Sequence, residues 1–169
     1  LFRMGIPVMG KNYFPSNIQG LPTWYEIRAS EKGHLARSGR VDVMVAMNAE
    51  TYKHDLAEVV SGGYLIYDST WPRHSMLKRD DITIIGVPLS KMCNETFPNA
   101  RARILMKNVV YVGVLAALLD LDLEVINKLL DETFAKKVSL LEANHLAIRM
   151  GYDYAKANFA TPLPFTAKS

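Results

Sequence analysis

The side chains best placed for chemistry crowd into one stretch, Asn12 to Ser30 (NYFPSNIQGLPTWYEIRAS), with Lys11 just before it. Lys11, Asn12, Ser16, Asn17 and Gln19 bring an ammonium, three carboxamides and a hydroxyl into nine residues, a set rich in hydrogen-bond donors. Groups of this kind grip a polar ligand. No reacting set is legible: there is no GxSxG elbow, no Walker loop, and no GxGxxG at a strand-to-helix junction. The four histidines, His34, His54, His74 and His145, have no paired metal spacing and read as turn or surface residues. Cys93 lies beside a possible helix start but stands alone, which fits an inert small side chain. Asp68, with Ser69 and Thr70, ends a strand, where it can meet a hydroxyl or simply shape a turn. Arg73, Lys78 and Arg79, and later Lys91, Arg101, Arg103 and Lys107, could line an anion site, although a solvated or subunit-facing stripe is the plainer reading.

The stretch itself is bent rather than helical. Pro15 and Pro22 fix φ and push Phe14 and Leu21 towards extended conformations, while Gly20 supplies backbone freedom. Trp24, Ile27 and Ala29 then alternate with Tyr25, Arg28 and Ser30 in a strand, although Glu26 falls on the Trp24 face. So many aromatics argue against a mere linker.

Bulk properties narrow the class. A chain of 169 residues, 49% hydrophobic and 22% charged, is long enough for one domain with a sizeable core. A net charge of +3, spread without a basic run, does not mark a nucleic-acid arm. One cysteine excludes an intramolecular disulfide and leaves no Cys/His cluster for zinc or iron-sulfur, so a cytoplasmic setting is expected. The first residues, LFRMGIPVMG, lack the features of a signal peptide. Val109 to Leu119 is apolar but falls short of the roughly 20 residues that span a bilayer, and is expected to be a buried helix.

Taken in order, Leu1 to Gly5 reads as the end of a helix closed by Gly5, and Ile6 to Met9 as a short strand. Val41 to Met47, apolar on both faces apart from Asp42, suits a central parallel strand. Asn48 can cap a helix from Ala49 to about Val60, ended by Gly62-Gly63, before strands Tyr64 to Tyr67 and Ile82 to Val87. A turn at Lys91 to Glu95 follows, then helices Ala100 to Leu119 capped by Asn99 and Leu123 to Phe134 capped by Asp122. A capping box, Ser139 with Glu142, would open a last helix from Leu140 to Phe159. Residues 1–160 then form one domain, and residues 161–169 (TPLPFTAKS) a tail or a linker towards a following domain. The alternation predicts an α/β fold: a three-layer, doubly wound, mostly parallel, Rossmann-like sheet with a helical C-terminal part. In such sheets ligands sit outside the carboxyl ends of the strands, which would place Asn48, Asp68 to Thr70 and the segment after Met9 on one rim.

GKNYFPSNIQGLPTWYEIRAS (Gly10 to Ser30), VDVMVAMNAET (Val41 to Thr51), GGYLIYDS (Gly62 to Ser69) and ARARILMKNVVYVGVLAALLDLD (Ala100 to Asp122) together resemble the gamma subunit, or gamma domain, of the 2-oxoacid:ferredoxin oxidoreductases. The resemblance runs over nearly the whole chain. Its most distinctive part, Pro15 to Thr23, looks like the form found where a gamma domain is fused ahead of an alpha domain, as in 2-oxoglutarate:ferredoxin oxidoreductase. It implies a complex that converts a 2-oxoacid, coenzyme A and oxidised ferredoxin into acyl-CoA, carbon dioxide and reduced ferredoxin. Thiamine diphosphate, Mg2+ and a [4Fe-4S] cluster would be carried by other domains, with no cofactor bound by this domain alone. The implied partners are the alpha (pyrimidine-binding) and beta (diphosphate-binding) domains or subunits, and ferredoxin through the complex; nucleic acid and membrane are not among them. Carried over, the coenzyme A-side residues are Lys11, Asn12, Ser16, Asn17, Gln19, Gly20 and Thr23, with Asn48 on the neighbouring strand end and no catalytic residue or metal ligand. Gamma domains usually begin with a strand and a Gly-rich turn that this sequence does not show, so the sequence is incomplete or that portion is carried separately. Two other readings stay open: a free-standing Rossmann-type nucleotide-binding oxidoreductase domain, whose glycine fingerprint is missing, and a pure assembly module.

Overall fold

A computed structural model describes residues 1–13, 21–34, 36, 39–72 and 75–167. The chain is a mixed α/β fold whose larger sheet is open and parallel. It divides into two compact units, one of Gly10–Arg28 and Ala36–Lys91, the other of Leu1–Met9, Ala29–Leu35 and Met92–Ser169.

The first unit holds the parallel sheet, β3 (Val41–Ala46), β4 (Val59–Asp68) and β5 (Thr83–Val87) in that order. Helix α1 (Tyr52–Glu58) carries the chain from β3 to β4, as a parallel connection requires. Register pairs Ala46 with Tyr67 and Asp68 with Val87, so the three carboxyl ends lie side by side. Val41 to Met47 is expected at the centre, yet β4 occupies it: Leu65 to Asp68 are all buried, whereas β3 has β4 as its strand neighbour among the described residues and is mostly half-buried. Periodicity says that a strand is apolar on both faces; it does not say how many strands flank it. Two further strands, β1 (Val8–Tyr13) and β2 (Trp24–Ala29), pair with each other in a separate two-stranded sheet. β1 therefore runs on past the expected end at Met9 and includes Lys11 and Asn12. In β2, Trp24, Glu26 and Arg28 are half-buried, while Tyr25, Ile27 and Ala29 are exposed. Ile27 and Ala29 thus share the face of Tyr25, not that of Trp24, because strict alternation overrides the grouping by polarity.

The Gly62-Gly63 pair does not end the helix. α1 stops at Glu58, where Val59 turns extended, and the glycines lie inside β4. Gly62 has φ of 79°, and a Cβ on Gly63 would press into the carbonyl oxygens of Val60 and Asp42, so the pair makes the irregularity at which β4 shifts register against β3. Arg79 and Asp81 fasten this point. Arg79 donates Nε and Nη2 to the two Asp81 carboxylate oxygens (2.8 and 2.6 Å) and Nη1 to the carbonyls of Leu56 and Val59 (2.6 and 2.7 Å). Asp81 also accepts from the Ser61 hydroxyl, and its carbonyl accepts from Gly62 N–H at 2.7 Å. Arg79 is therefore a clamp on the end of α1 and the start of β4 rather than part of an anion site; Lys78 is exposed, and Arg73 lies outside the described residues.

Arg79 and Ser61 hold the Asp81 carboxyl below the usual carboxylate range. A depressed folded-state pKa stabilises the fold above the unfolded value, near 3.9, and that contribution is lost as pH falls towards the folded pKa. Asp81→Asn is therefore expected to unfold at lower denaturant concentration at pH 7. The gap to the unaltered chain should close on acidification below about pH 4, as urea midpoints measured across the acid range would register.

The second unit is helical: α2 (Leu89–Thr96, whose first turn belongs to the sheet unit), α3 (Ala100–Leu118), α4 (Leu123–Phe134) and α5 (Val138–Asn158). Asn99 and Asp122 cap α3 and α4 as expected, accepting from Ala102 N–H and Glu124 N–H, each at 2.8 Å. Arg103 turns back to the carbonyls of Phe97 and Pro98 at 2.8 and 3.3 Å, a structural use of that residue. Lys91 and Arg101 are exposed and Lys107 is half-buried. The expected capping box is not the start of α5. Leu140 and Leu141 N–H already donate to the Lys137 carbonyl, so Ser139 sits inside the first turn. The first residues form a 3-10 turn, Phe2–Met4, closed by Gly5 at φ of 77°. The core of this unit is the contact of α3 with α5, where Val110, Val114, Ala117, Ala147 and Ile148 are buried. Leu163 is buried, and its N–H donates to the Leu118 carbonyl, as Ala167 N–H does to that of Leu119, both at 2.8 Å.

Candidate functional site

The carboxyl ends of β3 and β4 bring two turns to one edge of the sheet unit. After β3, Asn48 caps a short 3-10 turn, Ala49–Thr51, by accepting Glu50 N–H on its side-chain oxygen at 3.1 Å. That use leaves the exposed Asn48 carboxamide NH2 to face outward chemistry. After β4, Asp68 accepts from Thr70 N–H (3.1 Å), the Thr70 hydroxyl (2.6 Å), Ser90 N–H (3.2 Å) and the Ser90 hydroxyl. The Thr70 oxygen in turn accepts Lys91 N–H at 2.9 Å. Asp68 is 5% exposed, so its carboxylate shapes the turn and ties the start of α2 to the end of β4. Its place at a strand end fits the turn-forming reading rather than the ligand-contact one.

The two-stranded sheet reaches the same turn through one side chain. Trp24, first residue of β2, donates its indole N–H to Asp55 Oδ1 at 2.8 Å. The other carboxylate oxygen of Asp55 accepts from the Thr51 hydroxyl at 2.6 Å, and that hydroxyl lies 2.9 Å from the Asn48 carbonyl. The His54 ring packs on Trp24, centroids 4.8 Å apart. Thr23, next to Trp24, is exposed, as are Lys11 and Asn12 on β1; the Lys11 ammonium stands 5.2 Å from the centre of the Tyr13 ring. Opposite, the Tyr25 ring covers Gly10 so closely that a Cβ there would strike its hydroxyl.

Of the residues singled out by sequence, Lys11, Asn12, Thr23 and Asn48 thus belong to one compact unit and are exposed to solvent. Ser16, Asn17, Gln19 and Gly20 lie outside the described residues. Cys93 is 1% exposed, which shuts its thiol away from external reactants. His145 joins α5 to α4, with Nδ1 at 3.0 Å from Asn127 Oδ1 and Nε2 at 2.8 Å from Asp131 Oδ1. Among the described residues no three His, Cys, Asp or Glu side chains are grouped to hold a metal, and no helix is long and apolar enough to cross a membrane. Sequence reasoning passed over Asp55. Its signal was the spacing from Thr51, one helical turn away, which puts hydroxyl and carboxylate on one face. The site can bind through an ammonium, carboxamides and a hydroxyl; among the described residues it presents no nucleophile beside a base.

A family model described as pyruvate ferredoxin/flavodoxin oxidoreductase matches residues 1–154. The chain is similar to 2-oxoacid:ferredoxin oxidoreductase 2, subunit alpha, of Aeropyrum pernix, at 24% identity over 94% of this chain and 30% of the relative. It is also similar to ketoisovalerate oxidoreductase subunit VorA of Methanothermobacter thermautotrophicus, at 30% identity over 69% of this chain and 23% of that one. It therefore spans less than a third of the length of these curated relatives. Among solved structures, 2-oxoglutarate:ferredoxin oxidoreductase from Magnetococcus marinus, with 2-oxoglutarate, coenzyme A and succinyl-CoA bound, superposes with a TM-score of 0.80 at 27% identity, over 98% of this chain and 28% of that one. The gamma subunit of a keto/oxoacid ferredoxin oxidoreductase from Geobacter sulfurreducens shares the fold, with a TM-score of 0.69 at 18% identity over 92% and 84% of the two chains.

Proposed function

Because the chain belongs to the pyruvate ferredoxin/flavodoxin oxidoreductase family, we propose that it is the gamma domain of a 2-oxoacid:ferredoxin oxidoreductase and helps form the coenzyme A side of its active site. The reaction is the coenzyme A-dependent oxidative decarboxylation of a 2-oxoacid, with ferredoxin as electron acceptor and 2-oxoglutarate as the favoured substrate, in the cytoplasm. The observation that carries this reading is the set Lys11, Asn12, Thr23 and Asn48, exposed on one unit and free of any bond-making pair. Coenzyme A offers phosphate oxygens and two amides. An ammonium and neutral amides match these in charge and hydrogen-bonding sense. The similar Magnetococcus protein, whose structure contains coenzyme A and succinyl-CoA, aligns over 98% of this chain and favours the same substrate class.

The chemistry belongs to groups that thiamine diphosphate, Mg2+ and a [4Fe-4S] cluster would supply from alpha and beta partners. One cysteine in 169 residues does not fit a four-thiolate cluster, so no step is assigned to this chain through it. Its own part is to hold and orient the thiol-bearing co-substrate.

Replacing Asn12 and Gln19 together by alanine in the complete complex is expected to raise KM for coenzyme A about tenfold, the loss of roughly 0.5–1.5 kcal/mol per hydrogen bond. KM for the 2-oxoacid should stay within about twofold on the same reasoning. Steady-state kinetics with each substrate varied in turn decides it. Unaltered coenzyme A kinetics would leave the domain an assembly module.

A further inference from the structure

We infer that Trp24 is a positioning residue: through Asp55 and Thr51 it locks the entrance of β2 to the Asn48 turn, so that Thr23 and Asn48 present a fixed pair of groups to the co-substrate. This rests on the coenzyme A-side reading above.

The geometry makes the case. Asp55 is 1% exposed, and its carboxylate has no Lys or Arg bonded to it among the described contacts. Among the described residues the cationic candidate beside it is His54, with Nδ1 at 3.9 Å and a side chain 57% exposed. Burying a carboxylate is unfavourable unless its oxygens are hydrogen-bonded, and here both are. What the carboxylate adds is direction. Oδ1 takes the one N–H that an indole has, which fixes the ring about its long axis, and the tilted His54 ring covers one face. Oδ2 takes the Thr51 hydroxyl, whose oxygen stands 2.9 Å from the Asn48 carbonyl. One carboxylate thus joins β2 to the turn that Asn48 caps, across 31 residues of sequence. Groups held this way lose less freedom when a ligand arrives, which lowers KM without touching the chemical step.

The test uses the complete oxidoreductase complex. Trp24→Phe keeps the ring and removes the N–H. It is expected to raise KM for coenzyme A about three- to tenfold, with kcat at saturating coenzyme A and KM for the 2-oxoacid within about twofold. Asp55→Leu, which removes the acceptor at similar volume, should give the same shift, and the double variant should be no worse than either single one. Three results would overturn the inference: unaltered coenzyme A KM in Trp24→Phe, additive effects in the double variant, or a parallel loss of kcat, both KM values and thermal stability. If the Asn12 and Gln19 substitutions raise KM for coenzyme A while Trp24→Phe does not, the lock fails and the coenzyme A-side reading stands. If none of these variants changes it, both fall.

Discussion

An Asp68→Ala chain is expected to lose about 3 kcal/mol or more of stability, as charge-assisted hydrogen bonds contribute roughly 1.5–3 kcal/mol each. The carboxylate is buried at the end of the central strand and accepts backbone and hydroxyl hydrogens from both Thr70 and Ser90. Alanine removes the acceptor and leaves the donors behind. Backbone N–H of Ser90 is the costliest of these, because it lies at the start of α2 where no helical carbonyl reaches it. Asp68→Asn should be milder, since one oxygen remains to accept while the new NH2 faces the hydroxyls, which can accept in their turn. Chemical denaturation of the two variants side by side separates them. Equal losses for alanine and asparagine would mean that charge, not hydrogen bonding, holds the turn. In the proposed complex, the damage should appear as lost assembly and not as a selective change in coenzyme A KM.

Gly151→Val should be comparably harmful, on the order of 3 kcal/mol, at the upper end of overpacking effects. A Cβ on Gly151 would run into the Val110 carbonyl, and one on Gly113 into that of Ile148. The two glycines lie opposite each other where α3 crosses α5, so backbone meets backbone at both points. Neither helix can yield locally, since the obstructing atoms are main chain. The helices must separate, which opens gaps around Val110, Val114, Ala147 and Ile148, all 3% exposed or less. Replacing Gly39 by valine provides the contrast: a Cβ there meets no described atom within 4 Å but φ is 69°, so a loss there would report backbone strain. Thermal unfolding followed by circular dichroism measures both. A Gly151→Val chain that unfolds no earlier than the unaltered one would mean that the two helices do not meet backbone to backbone at this crossing.

The sequence made the helices legible at their capped ends. Asn99 and Asp122 fixed α3 and α4 almost to the residue because a short side chain that accepts a backbone N–H leaves little choice of boundary. Where no side chain caps, the boundary slipped: α5 begins at Val138 without one, although Ser139 and Glu142 have the right spacing. Glycine was ambiguous in the same way. Gly5 closes a turn, but Gly62 lets a strand bulge, although both have positive φ. Of the residues proposed to face coenzyme A, Lys11, Asn12, Thr23 and Asn48 could be singled out from sequence. The Trp24 to Asp55 bond could not, since nothing in a linear pattern pairs an indole with a carboxylate 31 residues away. Likewise, Arg79 looked like a free cation until its partners, two helix-end carbonyls and Asp81, came together in space.

β3 leaves a different kind of mark on the protein. VDVMVA has no proline and one charge, and the described residues place a neighbouring strand on one of its sides, at β4. A strand so composed, with no strand on its other side among the described residues, is a template for any second strand that meets it. Prepared on its own, this polypeptide is therefore expected to form soluble oligomers and then precipitate with concentration, and a lysine in place of Val43 should slow that process.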